Sequence, residues 1–359
     1  MHVLCPVGGQ GLSEALAATS DFGAILAKLP YQPAEALKGV ATHGSPLVQA
    51  EALALGAALM CWFLYLLTRN CSHVDRMWST LAPVYVAIFA RKDLAAVMVA
   101  VRGLAARGCA LGSSPIDCLA ALRSAVTDSG ADTRLLLATV LSAAWGCRLT
   151  YNFWRRGGYN PRFEDHRWLE VRKIMHPLMF EVFNLVFVAL AQHALCLLIT
   201  LPAFVAATLS TAPPRPLGPA DWAAAATFAL FLLGEAAADQ QQWAFQRRKH
   251  QREAERLPRS GDLKRGFRTT GLFRFSRHPN FFCEYGMWWS FYVLCAVLPC
   301  GCLLGWSVAG AAGLTLLLHA GSLWITERIS SARYPQYADY QASTSAIIPG
   351  RPGPRLKDD

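Results

Sequence analysis

The sequence predicts an all-α polytopic membrane bundle with about seven transmembrane helices, and three observations predict it. Charged residues make up only 16% of the 359 residues, against the roughly 25% typical of soluble domains. Apolar residues reach 53%. They are gathered in continuous blocks of about 20, the length that crosses a hydrocarbon core, rather than at the spacing of a one-sided amphipathic helix. Disorder and a polar-surfaced globule are both excluded by this balance.

Seven blocks have the length and composition of spans: 47–67, 78–101, 134–151, 178–205, 222–240, 284–304 and 306–325. The second is interrupted by Arg91, Lys92 and Asp93. It reads either as one tilted helix or as a short span followed by a surface helix. Between spans, 152–177 carries Arg155, Arg156, Arg162, Arg167, Arg172 and Lys173, and 241–277 carries eleven Lys/Arg against three acids. By the positive-inside rule both face the cytoplasm. The connections 206–221 and 301–305 are nearly free of charge and fit the other side, which places the N-terminus in the lumen or outside and the C-terminus in the cytoplasm.

Residues 1–46 lack a basic segment followed by an apolar core and so do not resemble a cleaved signal peptide. They read as a poorly structured or surface-lying N-terminal arm before a membrane domain over 47–350 and a tail over 351–359. The stretch 102–133 reads as a small-residue connection with one short helix. The net charge of +10 is accounted for by topology and anionic lipid, so nucleic acid is not an expected partner. The eleven cysteines are scattered without a CxxC pair, and no metal site is expected.

Ionisable groups inside a membrane are costly and normally face a partner or a cavity. Glu235, Asp239, Gln242 and Gln246 follow at spacings of four, three and four, which puts them on one helical face. Either they line an interior site or the helix end is emerging into water. Around the sixth span, Pro279 suits the first helical position, and Arg274, Arg277 and His278 surround the free amides there. This is either an anion site or a headgroup anchor, with Trp288 and Trp289 forming an aromatic belt. Asn280 and Glu284 share a face one turn further in. The segment from Arg155 to Trp168 mixes cations, glycines and paired acids, and it either cradles diphosphate or follows orientation statistics. Asp75 opens the second span, where it is either a proton donor or the partner of Arg76.

At these residues the chain resembles the steroid 5-alpha-reductase family, and more closely its broad branch with the signature T-G-L-W-x-Y-S-R-H-P-N-Y-F-G-E. Here that signature stands as Thr270-Gly-Leu-Phe-Arg-Phe-Ser-Arg-His-Pro-Asn-Phe-Phe-Cys-Glu284. The resemblance extends to Asp75 and Trp78, to Arg155-Arg156 with Glu164-Asp165-x-Arg167, to Asp239 with Gln241, and to Tyr337, Tyr340, Thr344-Ser345 and Ile348-Pro349. It covers roughly 50–350. The family glycine is Cys283 here, and Phe281 replaces the usual tyrosine.

The resemblance implies a seven-helix membrane reductase that binds NADPH, in the endoplasmic reticulum for a eukaryotic family member; a bacterial inner membrane would show the same charge pattern. Asn280 and Glu284 correspond to its cofactor-contacting pair, and Glu235 and Asp239 to a polar pair one turn apart. Gln242, Arg155, Arg156, Arg274, Arg277, His278, Tyr337 and Tyr340 complete the expected cofactor set. Asp75 is the candidate catalytic acid, and no tyrosine is assigned beside it. The expected reaction is hydride transfer to an activated carbon–carbon double bond of a lipid-soluble substrate, a sterol or a long-chain enone. Two other readings remain: methyl transfer from S-adenosylmethionine, and lipid or sterol binding without turnover.

Overall fold

The structure is a computed structural model and describes residues 2–4, 8–106, 115–210 and 215–353. Parts of the connections 102–133 and 206–221, and most of the tail 351–359, lie outside the described residues.

The described chain is almost entirely helical. Helices α1 (Gly8–Lys28) and α2 (Pro33–Thr42) occupy the expected N-terminal arm, and they are followed by α3 (Pro46–Thr68), α4 (His73–Phe89), α5 (Arg91–Ala106), α6 (Pro115–Asp128) and α7 (Thr133–Arg155). Next come α8 (His166–Ile174), α9 (Pro177–Phe183), α10 (Gln192–Leu198), α11 (Leu201–Leu209) and the long α12 (Pro219–Ala254). A short α13 (Asp262–Arg265) precedes α14 (Pro279–Tyr292), α15 (Leu298–Cys300), α16 (Val308–Leu316), α17 (Trp324–Arg333) and α18 (Tyr337–Ser343). π-Helical turns at Asn184–Ala191, Val293–Val297 and Leu317–Leu323 join α9 to α10, α14 to α15 and α16 to α17. The described strands, β1 (His2–Leu4) and β2 (Cys302–Leu304), form one short parallel pair.

Among the described residues five helical segments are long and apolar enough to cross a membrane: Pro46–Thr68, Pro177–Leu209, Pro219–Ala254, Pro279–Cys300 and Val308–Arg333. The protein is a multi-pass integral membrane protein. The other two expected spans depart from that standard for stated reasons. The second breaks at Ala90 into α4, of 17 residues, and α5. There Arg91 donates to the Gly44 carbonyl at 2.7 Å and Asp93 accepts from the Asp132 amide at 2.7 Å, so the charges that interrupt the block tie the break to neighbouring loops. The third, α7, carries Arg134, Arg148 and Arg155 and is packed between α4 and α12, where protein carboxylates meet Arg134 and Arg148.

The helix ends follow capping rules. Ser45, Asp132 and Asp165 accept from the amides of Leu47, Arg134 and Arg167 at the starts of α3, α7 and α8, each satisfying a donor that has no intrahelical partner. Proline stands at the first helical positions of α3, α9, α12 and α14. The main core holds Trp145, Trp288, Tyr85, Phe204, Phe228 and Phe291, all essentially inaccessible. Two glycines set the close crossings. A Cβ at Gly146 would lie 2.5 Å from the Ser79 carbonyl of α4, and one at Gly310 would lie 2.2 Å from the Leu198 carbonyl at the end of α10. The N-terminal arm is not loose: Ala15, Ala18 and Phe22 of α1 join the main core, and Thr19 donates to Glu51 of α3 at 2.6 Å.

Candidate functional site

One face of α7 presents Trp145, Arg148, Asn152 and Arg155 at spacings of three, four and three, and it meets α12 and α14. Arg148 Nη1 lies 2.8 Å from Glu235 Oε1 and 2.7 Å from Asp239 Oδ2, and its Nη2 lies 3.8 Å from Glu284 Oε2. Glu235 and Asp239 are one turn apart on α12, as their spacing predicts. Asn152 Nδ2 donates to Asp239 at 2.8 Å. Glu284 accepts from two indoles, Trp145 at 3.1 Å and Trp288 at 2.9 Å, whose rings meet edge to face at 5.0 Å. One guanidinium thus faces three carboxyl groups inside a lipid-solvated bundle. Its hydrogen bonds are incomplete: Arg148 Nε and Nη2 and Glu235 Oε2 are buried with no hydrogen-bond partner. Such groups normally find one, because leaving a buried polar atom unpaired costs about 1–3 kcal/mol.

Beside this cluster, Arg155 donates to Asn152 Oδ1 at 3.0 Å and to Gln240 Oε1 at 2.6 Å, and its guanidinium stands over the rings of Trp243 and Tyr151. Arg156 donates to the Asn152 carbonyl and lies over Phe153. Gln242 and Asn280 are half-buried. Cys283 lodges against α12 at Gly234, where an added Cβ would come 2.9 Å from its Sγ. The glycine missing from the α14 motif is therefore offset by a glycine on the opposing helix, and the thiol is accommodated at the crossing.

The rest of the expected site stands elsewhere. Arg277 pairs with Glu327 of α17 at 2.8 Å and donates to the carbonyls of Gln341 and Thr344, while His278 Nε2 meets Glu327 at 2.7 Å. Tyr337 and Gln341 also donate to Glu327, each at 2.7 Å. Tyr340 donates to the Phe273 carbonyl, and both tyrosine rings pack on Phe267. Arg274 donates to the Gly353 carbonyl at 3.1 Å. The basic mouth expected at the start of α14 is thus closed by Glu327 and by the returning segment 344–353, whose Ser345 and Ala346 carbonyls accept from the amides of Arg277 and His278. Trp288, expected in an interfacial belt, is fully buried on Glu284.

Asp75 accepts from the Trp168 indole at 3.0 Å. Its expected alternative partner, Arg76, turns instead to the carbonyls of Gly158, Asn160 and Phe163. The loop 157–165 is folded onto α4 in this way, and its acids are spent locally. Glu164 accepts from the Cys71 amide and from Arg172. Burial pushes the Asp165 carboxyl up, yet the Arg167 guanidinium and amide outweigh it and hold it well below the usual carboxylate range.

Arg148, Trp145 and Glu327 are the participants that sequence reasoning missed. Arg148 carried a usable signal, an isolated cation within an apolar block. Among the described residues no three His, Cys, Asp or Glu side chains gather as a metal site.

An all-helical integral membrane protein with a charged, incompletely paired cluster between three of its helices is the class that fold and site define. The chain belongs to the family described as "Protein of unknown function (DUF1295)", whose profile matches residues 111–344. It is similar to an uncharacterised protein of Schizosaccharomyces pombe, with 31% identity over 311 residues, covering 85% of this chain and 80% of the relative. No solved structure matches.

Proposed function

We propose that the protein is a membrane-embedded, NADPH-dependent reductase of an activated carbon–carbon double bond in a lipid-soluble substrate, a sterol or long-chain enone, in the endoplasmic reticulum membrane with the Arg155–Arg156 end facing the cytoplasm. The observation that carries this reading is the trio of buried atoms without a hydrogen bond, Arg148 Nε and Nη2 and Glu235 Oε2, next to the Asn280–Glu284 element, with Nη2 held only by the 3.8 Å ionic contact to Glu284. A site with two free donors and one free acceptor suits a carboxamide, which carries both functions, and so fits the nicotinamide end of the cofactor. Bound there, NADPH would supply hydride.

The chain's own residues divide the remaining work. Glu235, Asp239, Glu284, Asn280 and Gln242 would hold the ring end. Arg155 and Arg156, about two turns along α7 from Arg148 or roughly 10 Å at 1.5 Å per residue, are placed for phosphates. Arg274 stands as a further candidate through its remaining guanidinium nitrogens. Trp145, Trp288, Phe228 and Phe291 exclude water and strengthen every electrostatic contact nearby. Asp75, set by Trp168 at the head of α4, is the candidate acid that hydrogen-bonds the substrate carbonyl and stabilises charge developing on its oxygen.

The test is a thermal-stability titration of the detergent-solubilised protein with NADPH, NADH and S-adenosylmethionine, because a ligand of the folded state raises stability by RT ln(1 + [L]/Kd). Stabilisation by NADPH, lost in Glu235→Gln, supports the reductase. Stabilisation by S-adenosylmethionine alone would move the reading to methyl transfer, and no response to any of the three would favour lipid binding without turnover.

A further inference from the structure

A second constellation lies away from the Arg148 cluster, where α3, α4 and α10 meet. Cys61 of α3 is a free thiol, 4% exposed. Its Sγ stands 3.5 Å from the Met77 thioether of α4 and 3.6 Å from His193 Nε2 of α10. His193 is 2% exposed, and its Nδ1 lies 2.6 Å from the Ala189 carbonyl. A carbonyl only accepts, so Nδ1 carries the proton and Nε2 turns its lone pair toward the thiol. This is the outer hydrogen bond that fixes the tautomer and aim of metal-ligating histidines.

We propose that Cys61, Met77 and His193 form a binding site for a soft monovalent metal ion, copper(I). Thiolate and thioether sulfur select copper(I) over harder ions, and imidazole suits copper as well. Ligand atoms about 2.0–2.3 Å from one metal, at trigonal to tetrahedral angles, stand roughly 3.5–4 Å apart; the 3.6 Å sulfur–nitrogen separation meets this, and the 3.5 Å sulfur–sulfur one needs to open by about 0.3 Å. Charge balance sharpens the choice. A monovalent ion with one thiolate and two neutral ligands leaves the ligand set uncharged, whereas a divalent ion would add a net positive charge to a buried site whose charged neighbours, Asp75 and Arg76, act on Cys61 in opposite senses. Binding forms the copper–sulfur bond and releases the thiol proton to water; no electron moves. The site would join α3, α4 and α10 without involving Arg148, Glu235 or Glu284; Asp75, the candidate acid of the reductase reading, stands two residues before Met77 on α4, so the test below reads metal uptake and not turnover.

The experiment is a competition titration of the full-length solubilised protein, kept reduced, in which copper(I) is partitioned against a coloured copper(I) chelator. The expected result is one equivalent bound by wild type beyond what Cys61→Ser retains, with affinity lowered about tenfold or more in His193→Gln and in the volume-conserving Met77→Leu. Copper(I) should also raise the melting temperature of wild type and not of Cys61→Ser. Equal uptake by wild type and Cys61→Ser would overturn the site and leave a thiol–imidazole hydrogen bond. Unchanged affinity in Met77→Leu would overturn the three-ligand assignment, and zinc(II) binding of equal strength that also depends on Cys61 would overturn the monovalent one. Should Cys61→Ser fail to fold, the Met77→Leu and His193→Gln comparisons decide the matter alone.

Discussion

Two charged clusters in this protein are built on opposite plans. At Glu327 one carboxylate is surrounded by donors: Arg277 through two nitrogens, His278, Tyr337 and Gln341. At Arg148 one guanidinium is surrounded by acceptors, and two of its nitrogens and a Glu235 oxygen remain without a hydrogen bond. The first is complete and leaves nothing for a ligand to do, so it reads as a clasp holding α14, α17 and the C-terminal segment together. The second is incomplete where incompleteness is expensive, and on the proposed reading the cofactor completes it. A basic residue beside a helix N-terminus is thus not enough to mark an anion site. What matters is whether its donors are already spent inside the protein.

The comparison can be broken at several points. The largest effect is expected from Arg148→Gln, which leaves three carboxyls without their cation. Removing one member of a buried ion pair costs about 3–5 kcal/mol, so the melting temperature should fall by many degrees and dinucleotide stabilisation should disappear. Arg148→Lys should recover part of the stability, and a melt unchanged in the Gln variant would show that the guanidinium is not buried among carboxylates. Glu327→Gln should follow, with a loss of about 3 kcal/mol, the low end of the same range because the amide oxygen still accepts from Arg277, but with NADPH affinity per folded molecule preserved. Weakened binding there would erase the distinction between the two clusters.

Smaller effects sharpen the contrast. Glu284→Gln keeps shape and both indole contacts while altering charge, and it should weaken NADPH by about tenfold, or about 1.4 kcal/mol, in an isothermal titration. Asp75→Asn should lower turnover with NADPH affinity nearly intact, and a fall in melting temperature without any change in turnover would make Asp75 only a tie between α4 and Trp168. The smallest effect is one of pH. Asp165 is held below its ordinary value in the folded chain, so it contributes stability fully above about pH 3.9, the unfolded value, and that contribution is lost as pH falls through the folded value. Asp165→Asn should therefore melt lower than wild type at pH 7 and converge with it in strong acid.

The amino-acid sequence by itself determined the solvent and the layout. Blocks of apolar residues, prolines at helix starts and cations between blocks are local properties, and lipid as solvent leaves a continuous hydrophobic segment little choice but a helix. The same locality made Glu235 and Asp239 legible as one face, and Asn280 and Glu284 as another. Tertiary structure alone decided which polar groups remain free. Whether Arg277 and His278 meet a ligand or Glu327 depends on a residue about fifty positions away. Whether Trp288 lies in an interfacial belt or is buried depends on Trp145 of α7 packing against it, and whether Cys283 blocks the α12–α14 crossing depends on Gly234 of α12. Hydrogen bonds saturate and close contacts exclude, so a residue's availability is fixed by distant partners that no local pattern names.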